Sequence, residues 1–318
     1  MIATALPSER RDPRLQRAYP AQAMAPATRP AKPVQSFPSS EDVMQHGITP
    51  RRLIGAMLAV GAVACGPEPA LDHASVFDGT AGRWVDLTHA FGPSTIYWPT
   101  DTAGFRLTEL AYGPTPDGWF YAANAFASAE HGGTHLDAPI HFAEGRLTTD
   151  EIPLSGLIGP AAVVDVSDRA GPDYLVTVAD LEGWEARHDE LPDGGILLLR
   201  TGWGARWDER AAYLGTDLVG PEAVAELRFP GLSEEAARWL VDNRGVVAVG
   251  IDTPSLDHGQ SADYRAHVVL YSENISGFEN VANLDLLPER GAYVVALPMK
   301  IEGGSGAPLR IVAFVPSG

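Results

Sequence analysis

The sequence HGGTHLDAPIHF, residues 131–142, concentrates three histidines and one aspartate in a short stretch. These four side chains are His131, His135, Asp137 and His141. All of them occupy odd-numbered positions, and alternate side chains of an extended strand point to the same face, so one strand could bring all four together. A helix is disfavoured because Gly132 and Gly133 are poor helix formers and Pro139 would break its last turn. We therefore expect a strand that becomes irregular near Pro139.

The donor types in this stretch indicate a metal site. Neutral imidazole nitrogen and carboxylate oxygen are ligands that a divalent ion such as Zn²⁺ or Mn²⁺ prefers, and no sulfur lies nearby in the sequence. The alternative is a strand that carries several hydrogen-bonded histidines. Burying four ionisable groups together without a cation would be costly, which favours the metal site.

The bulk composition limits the possible function classes. The chain has 318 residues, 45% of them hydrophobic, which is enough for one large domain or two modest ones. Its formal net charge of −18 argues against nucleic acid as a partner, because binding phosphate needs a basic face. With one cysteine, no disulfide can form within the chain.

The first segment differs from the rest of the chain. Residues 1–43 are rich in Pro, Ala, Ser and Arg and show no hydrophobic period. Such a segment buries too little apolar surface to offset the entropy lost on ordering. We expect it to be disordered or, because Met44 is an alternative start, not translated at all.

Residues 44–65 have the pattern of a bacterial lipoprotein signal peptide. Arg51 and Arg52 precede an apolar run too short to span a bilayer, and Cys65 follows it in the sequence Ala-Val-Ala-Cys. Lipidation of Cys65 would attach the protein to the membrane on the periplasmic side of the cell envelope; without that processing we expect a cytoplasmic protein. Residues 66–80 would be a linker. The alternative is a short amphipathic or core helix with an incidental cysteine.

Residues 81–318 are expected to fold as one α/β domain. Apolar runs typical of strands lie at residues 85–88, 105–110, 119–126, 161–166, 195–199, 246–251, 293–297 and 310–315. Short helices are expected at residues 178–185 and from an N-cap at Ser233 to Asn243. Strands outnumber helices, which predicts a mixed β-sheet or a barrel-like core flanked by helices.

The pattern HxGTHxDxPxH at residues 131–141 resembles the signature of the cyclase family of metal-dependent hydrolases, which includes bacterial kynurenine formamidases and isatin hydrolases. Further blocks resemble the same family in the same order along the chain. They are Asp86-Leu-Thr, Tyr97-Trp-Pro, residues 250–257, His267 with Glu279-Asn280, and residues 303–310. The resemblance covers residues 84–315 and implies a swivelling β/β/α-type fold.

The resemblance also implies roles for individual residues. His131, His135 and Asp137 would hold a first metal ion, and His267 with Glu279 would complete a second position in members that bind two ions. His141 resembles the family's general acid/base. One departure concerns the aromatic loop, where kynurenine formamidases usually have Tyr-Pro-Gly-Asp and this chain has Tyr97-Trp-Pro-Thr-Asp.

The ligand set predicts a hydrolytic mechanism. Three protein ligands leave an open coordination position, where bound water becomes hydroxide near neutral pH and can attack an amide carbonyl. His141 would take the proton of that water and pass it to the leaving nitrogen. A competing interpretation makes His141 a fourth ligand, which would close the site and leave it structural.

We therefore expect a hydrolase that cleaves an aryl or cyclic amide resembling N-formylkynurenine or isatin, with one or two Zn²⁺ or Mn²⁺ ions. The alternatives are a hydrolase of another small amide or lactone, and a non-catalytic, lipid-anchored metal-binding protein. The residues expected to contact the substrate are Trp98, Trp119, Phe120, Tyr121 and Ser255. By resemblance, we expect a homodimer or higher homo-oligomer in which a neighbour helps to close the pocket.

Overall fold

The computed structural model describes residues 73–317. Its strands are β1 (Gly82–Asp86), β2 (Arg106–Pro114), β3 (Phe120–Ala127), β4 (His135–Asp137), β5 (Ile158–Asp165), β6 (Leu175–Val176), β7 (Ile196–Arg200), β8 (Gly231–Leu232), β9 (Ala248–Ile251), β10 (Ser276–Glu279), β11 (Arg290–Pro298) and β12 (Gly306–Pro316). Its α-helices are α1 (His73–Asp78), α2 (Val178–His188), α3 (Arg210–Leu214), α4 (Glu234–Asn243) and α5 (Arg265–Tyr271). Within these residues, no helix combines the length and apolar character needed to cross a bilayer.

The central element is a closed, mixed barrel. Eight strands form one sheet in the order β1-β12-β11-β5-β7-β9-β10-β4, and an additional β12–β4 pairing closes all of them except β1 into a ring. Strands β5, β7, β9 and β10 run parallel to one another, whereas β4, β11 and β12 are joined by antiparallel pairings. The expected α/β fold with a barrel-like core is confirmed.

Alternate residues of the barrel strands enter two separate hydrophobic cores. In β7, Ile196 and Leu198 face the barrel interior, where Leu136 of β4 also lies. Leu197 and Leu199 face outward and pack under the helices α2, α4 and α5. Since strand side chains alternate, burying Leu136 inside the barrel directs its neighbours in β4 outward, toward the helical layer.

Two helices begin as their sequences predict. The side chain of Thr177 accepts a hydrogen bond from the backbone N–H of Asp180, and the Asp180 side chain in turn accepts one from the backbone of Thr177, which caps α2. Ser233 caps α4 by accepting from the backbone N–H of Ala236. Both caps satisfy N–H groups that would otherwise lack partners at a helix start.

The strand expected to begin at His131 is much shorter in the structure. Only His135–Asp137 form β4, while His131 lies in irregular chain and His141 ends a one-turn 3-10 helix, Pro139–His141. The reason is local: Gly133 has φ +58°, a left-handed conformation that interrupts an extended strand. The prediction of one continuous strand face was therefore wrong.

The remaining element predictions can be compared directly. The hairpin expected around residues 105–126 is present as β2 and β3, which pair along their length. The helix α1 lies within residues 66–80, where a linker was expected. The proposed signal peptide and the extension before it lie outside the described residues, so lipidation of Cys65 stays a prediction.

Candidate metal centre and active-site cavity

Asp137 lies at the centre of the site, where three strands meet. It is opposite Gly277 of β10 on one side and Gly306 of β12 on the other. A Cβ at Gly277 would overlap the hydroxyl of Tyr271, and a Cβ at Gly306 would overlap the ring of His131. The two glycines thus leave room for both side chains to reach the Asp137 carboxylate, which accepts a hydrogen bond from Tyr271 Oη at 3.0 Å.

The neighbouring strand and helix supply the other donors. Glu279 of β10 is directly opposite His135 of β4, so both side chains project from the same face of the sheet. His267 projects from α5 onto that face and is one helical turn before Tyr271. His267 Nε2 lies 3.0 Å from Glu279 Oε1 and 3.5 Å from Asp137 Oδ2.

His131 reaches the site from outside the sheet. The segment that contains it pairs with Tyr97 through an isolated β-bridge at Gly132. His131 Nδ1 lies 2.7 Å from Asp137 Oδ1, and His135 Nε2 lies 3.1 Å from the same oxygen. The structure therefore brings together all five residues expected to bind metal, although His131 arrives by a route that strand alternation does not describe.

The outer nitrogens of two histidines are fixed by acceptors. His135 Nδ1 donates to the carbonyl oxygen of Gly133 at 3.0 Å, and His267 Nδ1 lies 2.6 Å from the carboxylate of Asp257. In neutral rings, the Nε2 atoms then carry lone pairs and point at the carboxylates of Asp137 and Glu279. His135 Nε2 is buried without a hydrogen-bond partner. A divalent cation would satisfy this arrangement, because it attracts the lone pairs and the carboxylates alike.

The pKa shifts show how strongly these groups interact. Burial favours the uncharged forms, but the carboxylates of Asp137 and Glu279 outweigh it and raise the pKa of His135 to about 9. Burial is likewise outweighed at Asp137, where His131, His135 and His267 hold the pKa of the carboxyl well below its ordinary value. In the metal-free protein, protons on His135 and His267 thus supply positive charge that a bound cation would replace.

The donor atoms fall into two overlapping groups that could each hold a metal ion. One group combines His131, Asp137 and His141, and the other combines His135, Asp137 and Glu279. Within each group, one atom from every residue lies within 4.8 Å of the others. Asp137 belongs to both, so its carboxylate would help to hold an ion at either group.

His141 lies beside these donors. Its ring stacks on that of His131, with centroids 3.8 Å apart and an angle of 18° between the planes. Burial, together with the positive charge of nearby histidines, lowers the pKa of His141 to about 4 despite the attraction of Asp137. A neutral imidazole with a free lone pair at the edge of the site can accept a proton from water.

A cavity of about 550 Å³ opens above the donors. All five predicted metal-binding residues and His141 lie in its wall, together with Trp98 and Ser255. Aromatic rings form much of the rest: Tyr97, Phe142 and Tyr264. Trp98 and Phe142 both contact Tyr264, with centroids 6.3 Å and 5.2 Å away. A flat, partly apolar molecule suits such a wall.

The three aromatic residues expected in the hairpin do not line this cavity. Trp119, Phe120 and Tyr121 are 54%, 60% and 49% exposed. They lie at the start of β3 or just before it. Among the described strands, β3 pairs only with β2, and the two form a separate two-stranded sheet. Because the hairpin is not packed over the cavity of its own chain, their aromatic side chains remain at the surface.

Sequence reasoning missed several residues that support the donors. Tyr271 donates to Asp137, and Asp257 holds His267 while also accepting from the backbone N–H of His267 at the start of α5. Asn280 Nδ2 donates to the Gly133 carbonyl at 2.7 Å, and its Oδ1 accepts from Tyr213 Oη. The helix α5 itself was not predicted. One signal in the sequence indicated this helix. His267 and Tyr271, which follow Asp257, have i, i+4 spacing, which places both side chains on one face of a helix.

The fold is a mixed α/β barrel domain whose donor set could hold a metal ion, and comparison with known proteins identifies the family. A family model described as "Putative cyclase" matches residues 85–258. The chain belongs to the cyclase family.

Individual relatives agree with this assignment. The chain is 35% identical to an isatin hydrolase of Roseibium aggregatum over 251 residues, covering 73% of this chain and 91% of the relative. It is 31% identical to a kynurenine formamidase of Salinibacter ruber, covering 72% of this chain and 95% of the relative. A solved isatin hydrolase bound to the product analogue thioisatinate superposes with a TM-score of 0.69 at 32% identity, covering 77% of this chain and 96% of that one.

These relatives confirm the predicted class, a hydrolase acting on carbon–nitrogen bonds other than peptide bonds. Four of the residue blocks that suggested the family lie inside the matched region, whereas His267, Glu279-Asn280 and residues 303–310 lie beyond it. The alternative of a non-catalytic metal-binding protein is not favoured, because the similar proteins carry the names of enzymes.

Proposed function

We propose that this protein hydrolyses the amide bond of a small aryl or cyclic compound, with isatin and N-formylkynurenine as the leading substrate types. The observation that carries the proposal is the convergence of His131, His135 and His267 on the carboxylates of Asp137 and Glu279 in the wall of an aromatic cavity. The sequence similarity to an isatin hydrolase and to kynurenine formamidases also supports an amide bond as the bond that is cleaved.

The cofactor we propose is Zn²⁺ or Mn²⁺, as one ion or two. Following the family resemblance, His131, His135 and Asp137 would hold the first ion, and His267 and Glu279 would complete a second position that shares Asp137. The donor groups of the structure are divided differently, with His141 beside His131 and Glu279 beside His135. A bound divalent ion would supply an activated water and polarise the amide carbonyl. The donor set contains only nitrogen and oxygen atoms, which suits both ions and does not distinguish them.

The side chains of the cavity have separate roles in this proposal. His141 accepts a proton from the attacking water and returns it to the nitrogen that leaves, so that the amine departs uncharged. Tyr271 and Asp257 hold Asp137 and His267 in place. The aromatic rings of Trp98, Phe142 and Tyr264 hold the planar substrate and exclude bulk water from the reacting carbonyl.

A substrate panel tests the proposal. Purified protein, stripped of metal and then reloaded with either Zn²⁺ or Mn²⁺, is mixed with isatin, N-formylkynurenine, a simple anilide and an aryl lactone. We expect ring opening of isatin or release of formate from N-formylkynurenine, and no such activity in the stripped protein. Hydrolysis at the full rate without metal would contradict the proposal, as would no turnover of any member of the panel.

We also propose that the protein forms a homodimer through the hairpin β2–β3. The large apolar side chains exposed on or beside this hairpin are Leu107, Leu110, Tyr112, Trp119, Phe120, Tyr121 and Phe126. A two-stranded ribbon is marginally stable alone in water. A cluster of exposed apolar side chains on such a ribbon is typical of an interaction site. The segment that leads into β2 includes Thr102 and Ala103, which line the cavity, so a second copy would lie beside its mouth.

Light scattering after size-exclusion chromatography measures this association. We expect the wild type to have twice the chain mass of 33.8 kDa, and Leu110→Glu, which places a charge on the exposed hairpin, to have the mass of one chain. Leu218→Glu is the matched control, because Leu218 is also exposed but lies outside the hairpin. A monomeric wild type would rule out the dimer.

A further inference from the structure

A chain of hydrogen bonds runs from Glu130 to His131 through Ser305. One carboxylate oxygen of Glu130, Oε2, accepts from both the backbone N–H and the hydroxyl of Ser305, at 3.0 Å and 2.6 Å. A carboxylate can only accept in this contact, so the single hydrogen of the Ser305 hydroxyl points at Glu130. The hydroxyl then has only lone pairs to offer to any other neighbour.

That neighbour is His131, whose Nε2 lies 3.0 Å from Ser305 Oγ. Because the hydroxyl hydrogen is already used, Nε2 must carry the proton and donate it to Ser305. Binding of a cation requires a neutral imidazole, which has one protonated nitrogen, so in the metal-bound ring Nδ1 keeps its lone pair. Nδ1 is the nitrogen that faces Asp137, at 2.7 Å.

We infer that Glu130 and Ser305 form a positioning pair that fixes the tautomer and orientation of His131 and makes Nδ1 its metal-binding atom. The inference rests on the proposed metal site. It assigns to two residues outside the donor set a role that resembles the carboxylate–histidine pairs common beside bound metals.

His131 needs such support more than the other donors do. Its side chain is 24% exposed, whereas those of His135, Asp137, His267 and Glu279 are between 2% and 6% exposed. Its local chain is irregular, so neither a strand nor a helix fixes the direction of its ring. Ser305 comes from the loop between β11 and β12, directly before Gly306, and therefore ties His131 to the strand that closes the barrel.

The pair also affects His141 indirectly. The ring of His141 stacks on that of His131, so a rotation of His131 would displace the proposed proton carrier as well. Loss of the pair should therefore lower both metal affinity and turnover, whereas loss of a purely catalytic group would leave metal affinity unchanged.

The test measures metal affinity in a set of matched variants by competition with a chromophoric chelator, using Zn²⁺ alone. Ser305→Ala and Glu130→Ala should each weaken Zn²⁺ binding by about 10- to 100-fold, the range typical for partners of metal-bound histidines. Ser305→Thr keeps the hydroxyl and should bind close to the wild-type level. Glu130→Gln keeps an acceptor oxygen but not the charge and should lose less than Glu130→Ala.

A second measurement reads the tautomer directly in the zinc-loaded wild type. Nitrogen-15 NMR of the histidine rings should show a protonated Nε2 and an unprotonated Nδ1 for His131, identified by its absence in His131→Gln. Because this measurement uses neither alanine variant, it decides the question even if Ser305→Ala or Glu130→Ala fails to fold.

Two results would overturn the inference: Zn²⁺ affinity unchanged in a folded Ser305→Ala variant, or a proton on Nδ1 of His131 in the loaded protein. Either result leaves the proposed function intact when the wild type binds Zn²⁺ and hydrolyses an amide. A wild type that binds no metal would instead contradict the proposed function itself, so the two failures can be distinguished.

Discussion

Asp137→Asn is expected to remove both metal binding and amide hydrolysis. The Asp137 carboxylate lies 2.7 Å from a nitrogen of His131 and 3.1 Å from one of His135, and it belongs to both groups of potential metal donors. Asparagine has a similar shape but no negative charge, so it cannot offset a divalent cation beside three imidazoles. Metal content by elemental analysis and the hydrolysis rate should both fall to background.

The appropriate control is Asp168→Asn, which removes a carboxylate that is 78% exposed and does not line the cavity. It should retain metal and activity. Circular dichroism and thermal unfolding establish that both variants are folded. If Asp137→Asn took up a full complement of metal and turned over substrate normally, Asp137 would have no place in the centre of the site.

His141→Ala is expected to keep the metal and lose turnover. The residue follows the donor strand through a 3-10 turn and stacks on His131, and its lowered pKa keeps the ring neutral, which leaves one ring nitrogen with a lone pair. Removing a positioned general acid/base lowers kcat by about 10²- to 10⁴-fold. The measurement pairs kcat for the best substrate of the panel with metal content of the same sample.

This pair of readouts separates the two roles left open for His141. A variant that loses metal together with activity would identify His141 as a ligand, a possibility that the donor group of His131, Asp137 and His141 makes concrete. A variant with normal metal and normal kcat would exclude both roles. His188→Ala serves as the control, because His188 lies at the surface beside Glu289.

The candidate donor residues could be predicted from the sequence, but the local backbone structure that presents them could be predicted only in part. Ligand chemistry and spacing pointed to four candidates, His131, His135, Asp137 and His141, and the choice of the first three as ligands came from the family resemblance. The predicted strand geometry is correct only for His135 and Asp137. Alternate side chains share a face only in a continuous strand, and the left-handed backbone of Gly133 interrupts this one.

Long-range features could not be read from local patterns. His267 and Glu279 entered only through family resemblance, because their position beside Asp137 depends on barrel closure and on the packing of α5. Ser305 meets Glu130 across 175 residues, a separation that no local sequence pattern describes. The hairpin was located correctly, but exposure of its aromatic rings depends on what packs over it, which its own sequence does not state.

The last strand of the barrel gives the site a particular order of assembly. All five donors precede residue 280, yet the Asp137 strand also pairs with β12, whose Gly306 leaves the space that the His131 ring fills. During synthesis on the ribosome, every donor is therefore made before the backbone segment that closes the ring around them. A nascent chain would hold a complete set of ligands without the cage that shapes it, and the site would be complete only after β12 has been made.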